Sequence, residues 1–203
     1  NLLPVQLYGL SGKGRGDISI IGNPVIDPIR RLGVQISAQI MDFLSIALAV
    51  TAADTFVQRE SSEDGWTRQF LLRLPLHEPS RWIALKKELE SALNFLSGDI
   101  WDFEFCDGGY APPEPYSQHS RFHLIKLKEL DCVSLFSGGL DSTIGAIDLL
   151  TAGRAPLLVS HAYKGDKSRQ DQIAEKLSGQ FSRFEINADP HIYQGVTDIT
   201  MRT

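Results

Sequence analysis

Between positions 136 and 143 the chain reads Phe136-Ser137-Gly138-Gly139-Leu140-Asp141-Ser142-Thr143, after an apolar run (133–136) and before a helix-forming run (143–150). A strand, a tight turn and a helix in that order aim unpaired backbone N–H groups and the positive end of the helix dipole at one place, where an anion is stabilised. Gly138 and Gly139 give the turn its backbone freedom and carry no Cβ to hold a phosphate away. Ser137 and Ser142 add hydroxyl donors. Asp141 alone would repel a phosphate, so its position implies a Mg²⁺ between its carboxylate and phosphate oxygens, since hard cations take oxygen ligands. Ser137 and Asp141 are thereby the candidate catalytic residues of a nucleotide site, with Asp141 as the metal ligand.

Every position of Ser137–Ser142 resembles the SGGxDS signature of the N-type PP-loop ATP pyrophosphatases. That family includes GMP synthetase, asparagine synthetase, tRNA-thiolating enzymes and the deazaguanine-nitrile synthase QueC. Its members split ATP between the α- and β-phosphates, pass AMP to a carboxylate or carbonyl oxygen, and release pyrophosphate. The resemblance implies that Phe136 to Thr143 form the ATP contacts, with Mg²⁺ at Asp141. Other glycine motifs fail on spacing. Gly9-Leu10-Ser11-Gly12-Lys13-Gly14 lacks the length and the Ser/Thr of a Walker A loop, and Gly12, Gly14 and Gly16 do not make G-x-G-x-x-G.

The elements needed to hold such a loop are legible on both sides of it. Gly153 closes the helix after the loop, and 156–160 is an apolar strand. A polar-faced helix over 168–177 turns Ile173, Ala174 and Leu177 inward, and 184–186 begins a third strand. This alternation predicts a parallel sheet covered on both sides, Rossmann-like, with ligands outside the carboxyl ends of its strands. His161, Tyr163 and Lys164 follow the second strand and are therefore candidates to line the pocket, although Lys164, Lys167 and Arg169 also suit a solvated helix start. His77, His119, His123 and His191 read as structural.

Upstream, residues 5–10 and 18–21 read as short strands around a Gly-rich connection, whose Arg15-Gly16-Asp17 carries no adhesive meaning. Residues 37–59 are helical, with Ile40, Phe43, Leu44, Ala47 and Val50 on one side. Phe70, Leu72 and Leu74 alternate with polar residues until Pro75 stops the ladder, and Trp101, Phe103 and Phe105 repeat that pattern. Between them Trp82, Leu85, Leu89, Ala92, Leu93 and Leu96 fit one helix, capped by Ser80 and ended by Gly98. The aromatic series suits the core of a two-layer fold better than a base-stacking platform. The Pro/Gly-rich stretch 107–121 marks a boundary, and 123–130 reads as a strand leading into the second part. The expected organisation is a smaller α+β domain over 1–121 and a PP-loop, adenine nucleotide alpha hydrolase-like α/β domain over 122–203.

The chain has 203 residues, 42% of them hydrophobic, enough for a sizeable core. Its 20 Lys and Arg stand against 25 Asp and Glu, for a net charge of −5, which argues against a nucleic-acid-coating surface. Cys106 and Cys132 are too far apart for a C-x-x-C site and too few for a disulfide framework, which points to a reducing cytoplasm. The uncharged run 43–53 is about half of the ~20 apolar residues of a membrane span, and no basic n-region precedes a cleavage site, so neither a span nor a signal is expected. The missing initiator Met suggests part of a longer protein.

Within the family, 132–149, Leu158-Val159-Ser160-His161-Ala162-Tyr163, the polar helix and Phe184-Glu185-Ile186 look like QueC. Thr200-Met201-Arg202-Thr203 looks like the start of that family's Arg-bearing segment. Two departures, the long stretch before the loop and the lack of a zinc-binding cysteine cluster up to residue 203, look instead like the QueC-like proteins of bacterial antiphage loci, such as QatC and its type IV CBASS relative. Zinc is then expected only through residues beyond 203. The resemblance implies a 7-carboxy-7-deazaguanine-type substrate, transfer to ammonia or a protein amine, and partners from a defence operon. Two alternatives stay open: an ATP-binding subunit without turnover, and a tRNA-modifying PP-loop enzyme, which the acidic charge and the lack of a Cys pair near the loop disfavour.

Overall fold

The structure is a computed structural model that describes residues 3–9, 18–117, 124–161, 163 and 165–192. In chain order the elements are β1 (Val5–Leu7), β2 (Ser19–Ile21), α1 (Ile26–Arg31), α2 (Ala38–Phe56), β3 (Gln69–Leu76), α3 (Pro79–Ala84), α4 (Lys86–Ser97), β4 (Ile100–Asp107), β5 (Cys132–Leu135), α5 (Leu140–Thr151), β6 (Pro156–His161), α6 (Asp166–Ala174) and β7 (Ser182–Ile186). All strand pairs among them are parallel, in sheets β1-β2, β3-β4 and β5-β6-β7. The chain is therefore a mixed α/β protein, divided into two compact units. Leu10 of the first expected strand, the Gly-rich connection 11–17, His119, His123, Lys164 and the segment 200–203 lie outside the described residues.

Unit one gathers the described residues of Asn1–Asn23, Ile36–Pro112 and Ala188–Thr203. Its strands β3 and β4 pair in register from Gln69–Ile100 to Leu76–Asp107, which puts Phe70, Leu74, Trp101 and Phe103 into the core. Pro75 does not end this ladder, because β3 runs on to Leu76. A proline is tolerated where the missing N–H is not needed by the neighbouring strand. Between the strands the expected single helix is broken at Leu85 into α3 and α4. Pro79, not Ser80, begins α3, whose Ncap position is Glu78. Gly98 ends α4 in the left-handed region, at φ 72°, as its sequence position predicts.

Helix α2 starts from Ser37, whose hydroxyl accepts from the Ile40 N–H. By length and composition alone it could cross a bilayer; here it packs on β1 and β3. Its inward face differs from the expected one. Met41, Asp42, Ser45, Ile46, Leu48, Ala52 and Phe56 are buried, whereas Ile40 and Phe43 are exposed. Apolar residues surround this helix, so their periodicity does not single out a face, and the buried polar groups decide it. Asp42 accepts from the N–H groups of His77 (2.7 Å) and Glu78 (2.9 Å) and from Trp82 Nε1 (3.2 Å), tying α2 to the start of α3. Ser45 shares a hydrogen bond with the buried Tyr8 hydroxyl at 2.8 Å.

Unit two gathers Pro24–Gln35 and the described residues of Pro113–Asn187. Its sheet has the order β5-β6-β7, and α5 and α6 contribute Ala146 and Ala174 to one buried cluster with Leu158 of β6, as right-handed parallel connections lead one to expect. Phe136, Ala146, Leu158 and Ala174 form the core between sheet and helices, with Ile173, Leu177 and Phe181 packed against it. The inward residues expected for the helix after the second strand are thus found there. Full cover on both faces is not: Val133 and Leu135 of β5 are 68% and 77% exposed. Residues 124–130, the described part of the expected strand, have no strand partner, and Leu127–Glu129 is a 3₁₀ turn. Their alternating apolar and Lys residues mark half-buried chain, but Leu127 N–H bonds locally, to Ile125 O. Helix α1 holds the chain ahead of this stretch, with Tyr116 donating to Asp27 at 2.7 Å beneath the Arg30 guanidinium.

Candidate functional site

The loop leaves β5 through Phe136, whose N–H donates to Val159 O at 2.7 Å and extends the pairing of β5 with β6 by one residue. The Phe136 side chain is in the core, so only its backbone is available to a ligand. Ser137 is exposed at the strand end. The chain then reverses at Gly138, at φ +78°, a left-handed backbone that costs glycine nothing. A Cβ there would lie 3.0 Å from Cγ of Gln170. Gly139 has an ordinary extended conformation, φ −81° and ψ 172°, and occupies the Ncap position of α5. Of the two glycines only Gly138 uses the left-handed region, because one reversal suffices to turn the strand into the helix.

The hydroxyls of the loop are organised around Gly139. Ser137 Oγ lies 3.0 Å from Ser142 Oγ and accepts from the Gly139 N–H at 3.3 Å. Ser142 and Thr143 both donate to Gly139 O, at 3.1 and 2.7 Å. Leu140, Asp141 and Ser142 occupy the first turn of α5, where backbone N–H groups have no intrahelical acceptor. The Leu140 side chain points to solvent, so its contribution is this N–H. Asp141 is exposed in the same turn, and no described hydrogen bond or ion pair holds its carboxylate. Three hydroxyls, the unpaired N–H groups of a first turn and the Asp141 carboxylate thus share one helix end.

His161 ends β6 and stacks edge-on against Tyr163, with ring centroids 4.3 Å apart. Tyr163 O receives the N–H groups of Asp166 and Lys167 at the start of α6. The carboxyl ends of β5 and β6 are joined by a residue that periodicity did not single out. Gln170 on α6 is 1% exposed, and its Nε2 donates to Ser137 O at 3.3 Å and to His161 O at 3.1 Å. The side chain that links the two candidate segments is thus a glutamine on the helix after β6. Its only trace in the sequence is a polar residue one turn before the inward Ile173 and Ala174.

The arrangement has the chemistry of an oxyanion holder: amide and hydroxyl donors at a helix N-terminus, with a carboxylate at its rim. Among the described residues no group of three His, Cys, Asp or Glu could hold a metal by protein ligands alone. Asp141 with the neighbouring hydroxyls fits a Mg²⁺ that takes most of its oxygens from phosphate and water, as this ion commonly does. An apolar groove of about 520 Å³ lies between Thr143, Ile147 and Leu150 of α5 and Ile173 and Leu177 at α6. Comparison with known proteins finds no family model, no curated protein and no solved structure that matches the chain.

Proposed function

We propose that Ser137–Ser142 binds the phosphates of ATP and that the protein is a QueC-like PP-loop ATP pyrophosphatase. The observation that carries this is the left-handed Gly138, which turns β5 into the N-terminus of α5 with Ser137, Ser142 and Thr143 gathered on Gly139. The three parallel strands, each of the first two followed by a helix, support unit two as part of a Rossmann-like PP-loop domain. His161 and Tyr163, at the end of the neighbouring strand, are in position to line the adenosine or the acceptor.

In this proposal a substrate carboxylate oxygen attacks the α-phosphorus, the bond to the β-phosphate oxygen breaks, and pyrophosphate leaves. A nitrogen nucleophile then attacks the acyl carbon, and AMP departs with its electron pair. The first-turn N–H groups of Leu140, Asp141 and Ser142 hold the departing oxygens, while Ser137 and Ser142 exchange their mutual hydrogen bond for phosphate oxygens. Mg²⁺, held by Asp141 and the nucleotide, would neutralise the charge that builds on the leaving group. A 7-carboxy-7-deazaguanine-type acid as the carboxylate, ammonia or a protein amine as the nucleophile, and a role in antiphage defence follow from the sequence resemblance.

Pyrophosphate release by the intact chain with ATP, Mg²⁺ and a panel of carboxylates tests the reaction. Carboxylate-dependent release with stoichiometric AMP is expected. Tight ATP binding without release selects the non-catalytic subunit, and the absence of ATP binding overturns the phosphate site.

A further inference from the structure

We propose that Gln170 is the positioning residue of the phosphate loop, setting the separation of the β5 and β6 ends so that Gly138 and the first turn of α5 face the ligand in one conformation. Its amide donates to two backbone carbonyls from different strands, Ser137 O and His161 O. Those two strands are hydrogen-bonded to each other up to Leu135–Val159 and Phe136–Val159, and beyond that point the chains diverge into the loop and toward Tyr163. Gln170 spans this gap. Lys cannot do so without bringing a charge into a site 1% exposed, and Asn is one methylene shorter.

The same side chain also forms the floor under the reversal. The missing Cβ of Gly138 would meet Gln170 Cγ at 3.0 Å and its Cα at 3.6 Å, so the left-handed turn rests directly on this residue. Among the described residues the other atom of the amide, Gln170 Oε1, is buried and has no hydrogen-bond partner, a costly state for a polar atom. An apolar residue of the same length would fill the space and remove that cost, but would also release both carbonyls. The two carbonyls therefore supply the reason for a glutamine here, and they belong to Ser137 and His161, one from each candidate segment.

This role rests on the loop binding phosphate, so the test reads loop and glutamine separately. ATP with Mg²⁺ is titrated into the wild-type chain, and the backbone amides of residues 138–142 and the Gln170 side-chain amide are followed by NMR. Both should shift with one common dissociation constant. Loop amides that move while the Gln170 amide stays unmoved overturn the positioning role alone; loop amides that do not respond overturn the phosphate site and this role with it. Gln170→Met, which preserves length, should weaken ATP about tenfold, the effect of losing one to two net hydrogen bonds, with cooperative thermal unfolding retained. Wild-type ATP affinity in that variant overturns the proposal. Gln170→Glu should fall at least as far at neutral pH, since a carboxylate faces two carbonyl oxygens.

Discussion

At Gly138 and Gly139 the same residue type serves two separable purposes, and single substitutions tell them apart. Gly138→Ala places an L side chain at φ +78° and against Gln170, so it should cost stability by about 1–2 kcal/mol in chemical denaturation, the usual penalty of a left-handed backbone. Gly139→Ala meets only Ser137 Oγ, at 3.4 Å, in an ordinary backbone conformation. Its stability should stay within ~0.5 kcal/mol of wild type while calorimetry shows ATP binding weakened by about tenfold or more. Unchanged ATP affinity in Gly139→Ala would place the nucleotide elsewhere. Asp141 acts at the same scale through the metal. Asp141→Asn should lower pyrophosphate release roughly tenfold or more and flatten its Mg²⁺ dependence; wild-type turnover at equal Mg²⁺ removes Asp141 from the site.

Between elements, buried charge does the joining. Asp42 of α2 accepts from two backbone N–H groups and an indole, and Asp42→Ala would strand all three donors beside a cavity. A loss of about 3 kcal/mol is expected for such a charged, buried acceptor, read as a shifted midpoint in urea. Asp99, fully buried ahead of β4, accepts from Arg68 at 2.6 Å and from Arg59 at 3.0 Å. Burial pushes its carboxyl up, but the hydrogen bonds and charges of Arg68 and Arg59 together outweigh burial and leave it below the usual range. In unit two the Arg154 guanidinium and the Ala155 N–H hold the Asp131 carboxyl down to about 2. Both shifts are downward, so the stability they contribute is complete above the unfolded carboxylate value of ~3.9 and disappears as pH falls through the folded values. Denaturation midpoints should therefore hold steady from about pH 7 to 5 and fall below about 4, and Asp99→Asn should flatten part of that fall. A midpoint already falling between pH 7 and 5 would contradict this origin.

Across the whole molecule the chain alternates between its units. Pro24–Gln35 packs with the second, and the segment from Ala188 returns to the first, where His191 pairs antiparallel with Ile20 and Ala188 is buried. A fragment of residues 1–121 would keep β3, β4 and α2 but lose this returning segment and leave α1 without β7. It should unfold with a lower midpoint and a broader transition than the intact chain. An identical transition would show that the returning segment contributes nothing to the first unit.

The strand, turn and helix around Gly138 are legible in the sequence. Ser137 to Thr143 had to lie at a strand-to-helix turn, because Gly-Gly flanked by an apolar run and a helix-forming run has few other outcomes. Gly98 and Gly153 ended their helices, and the strands around Phe70, Trp101, Val133 and Leu158 formed, because each of these signals is contained within a few neighbouring residues. What periodicity could not supply was every decision made by a distant partner. The inward face of α2 was set by donors near His77, 35 residues from Asp42. The break at Leu85 separates a helix anchored by Asp42 from one anchored on β4 by Lys86 and Asp102. Gln170 looked like one more polar residue on a solvated helix, and only the approach of α6 to the ends of β5 and β6 turned its amide toward Ser137 and His161. A sequence determines which backbone groups need partners near at hand; which far residue meets them is decided when the strands come into register.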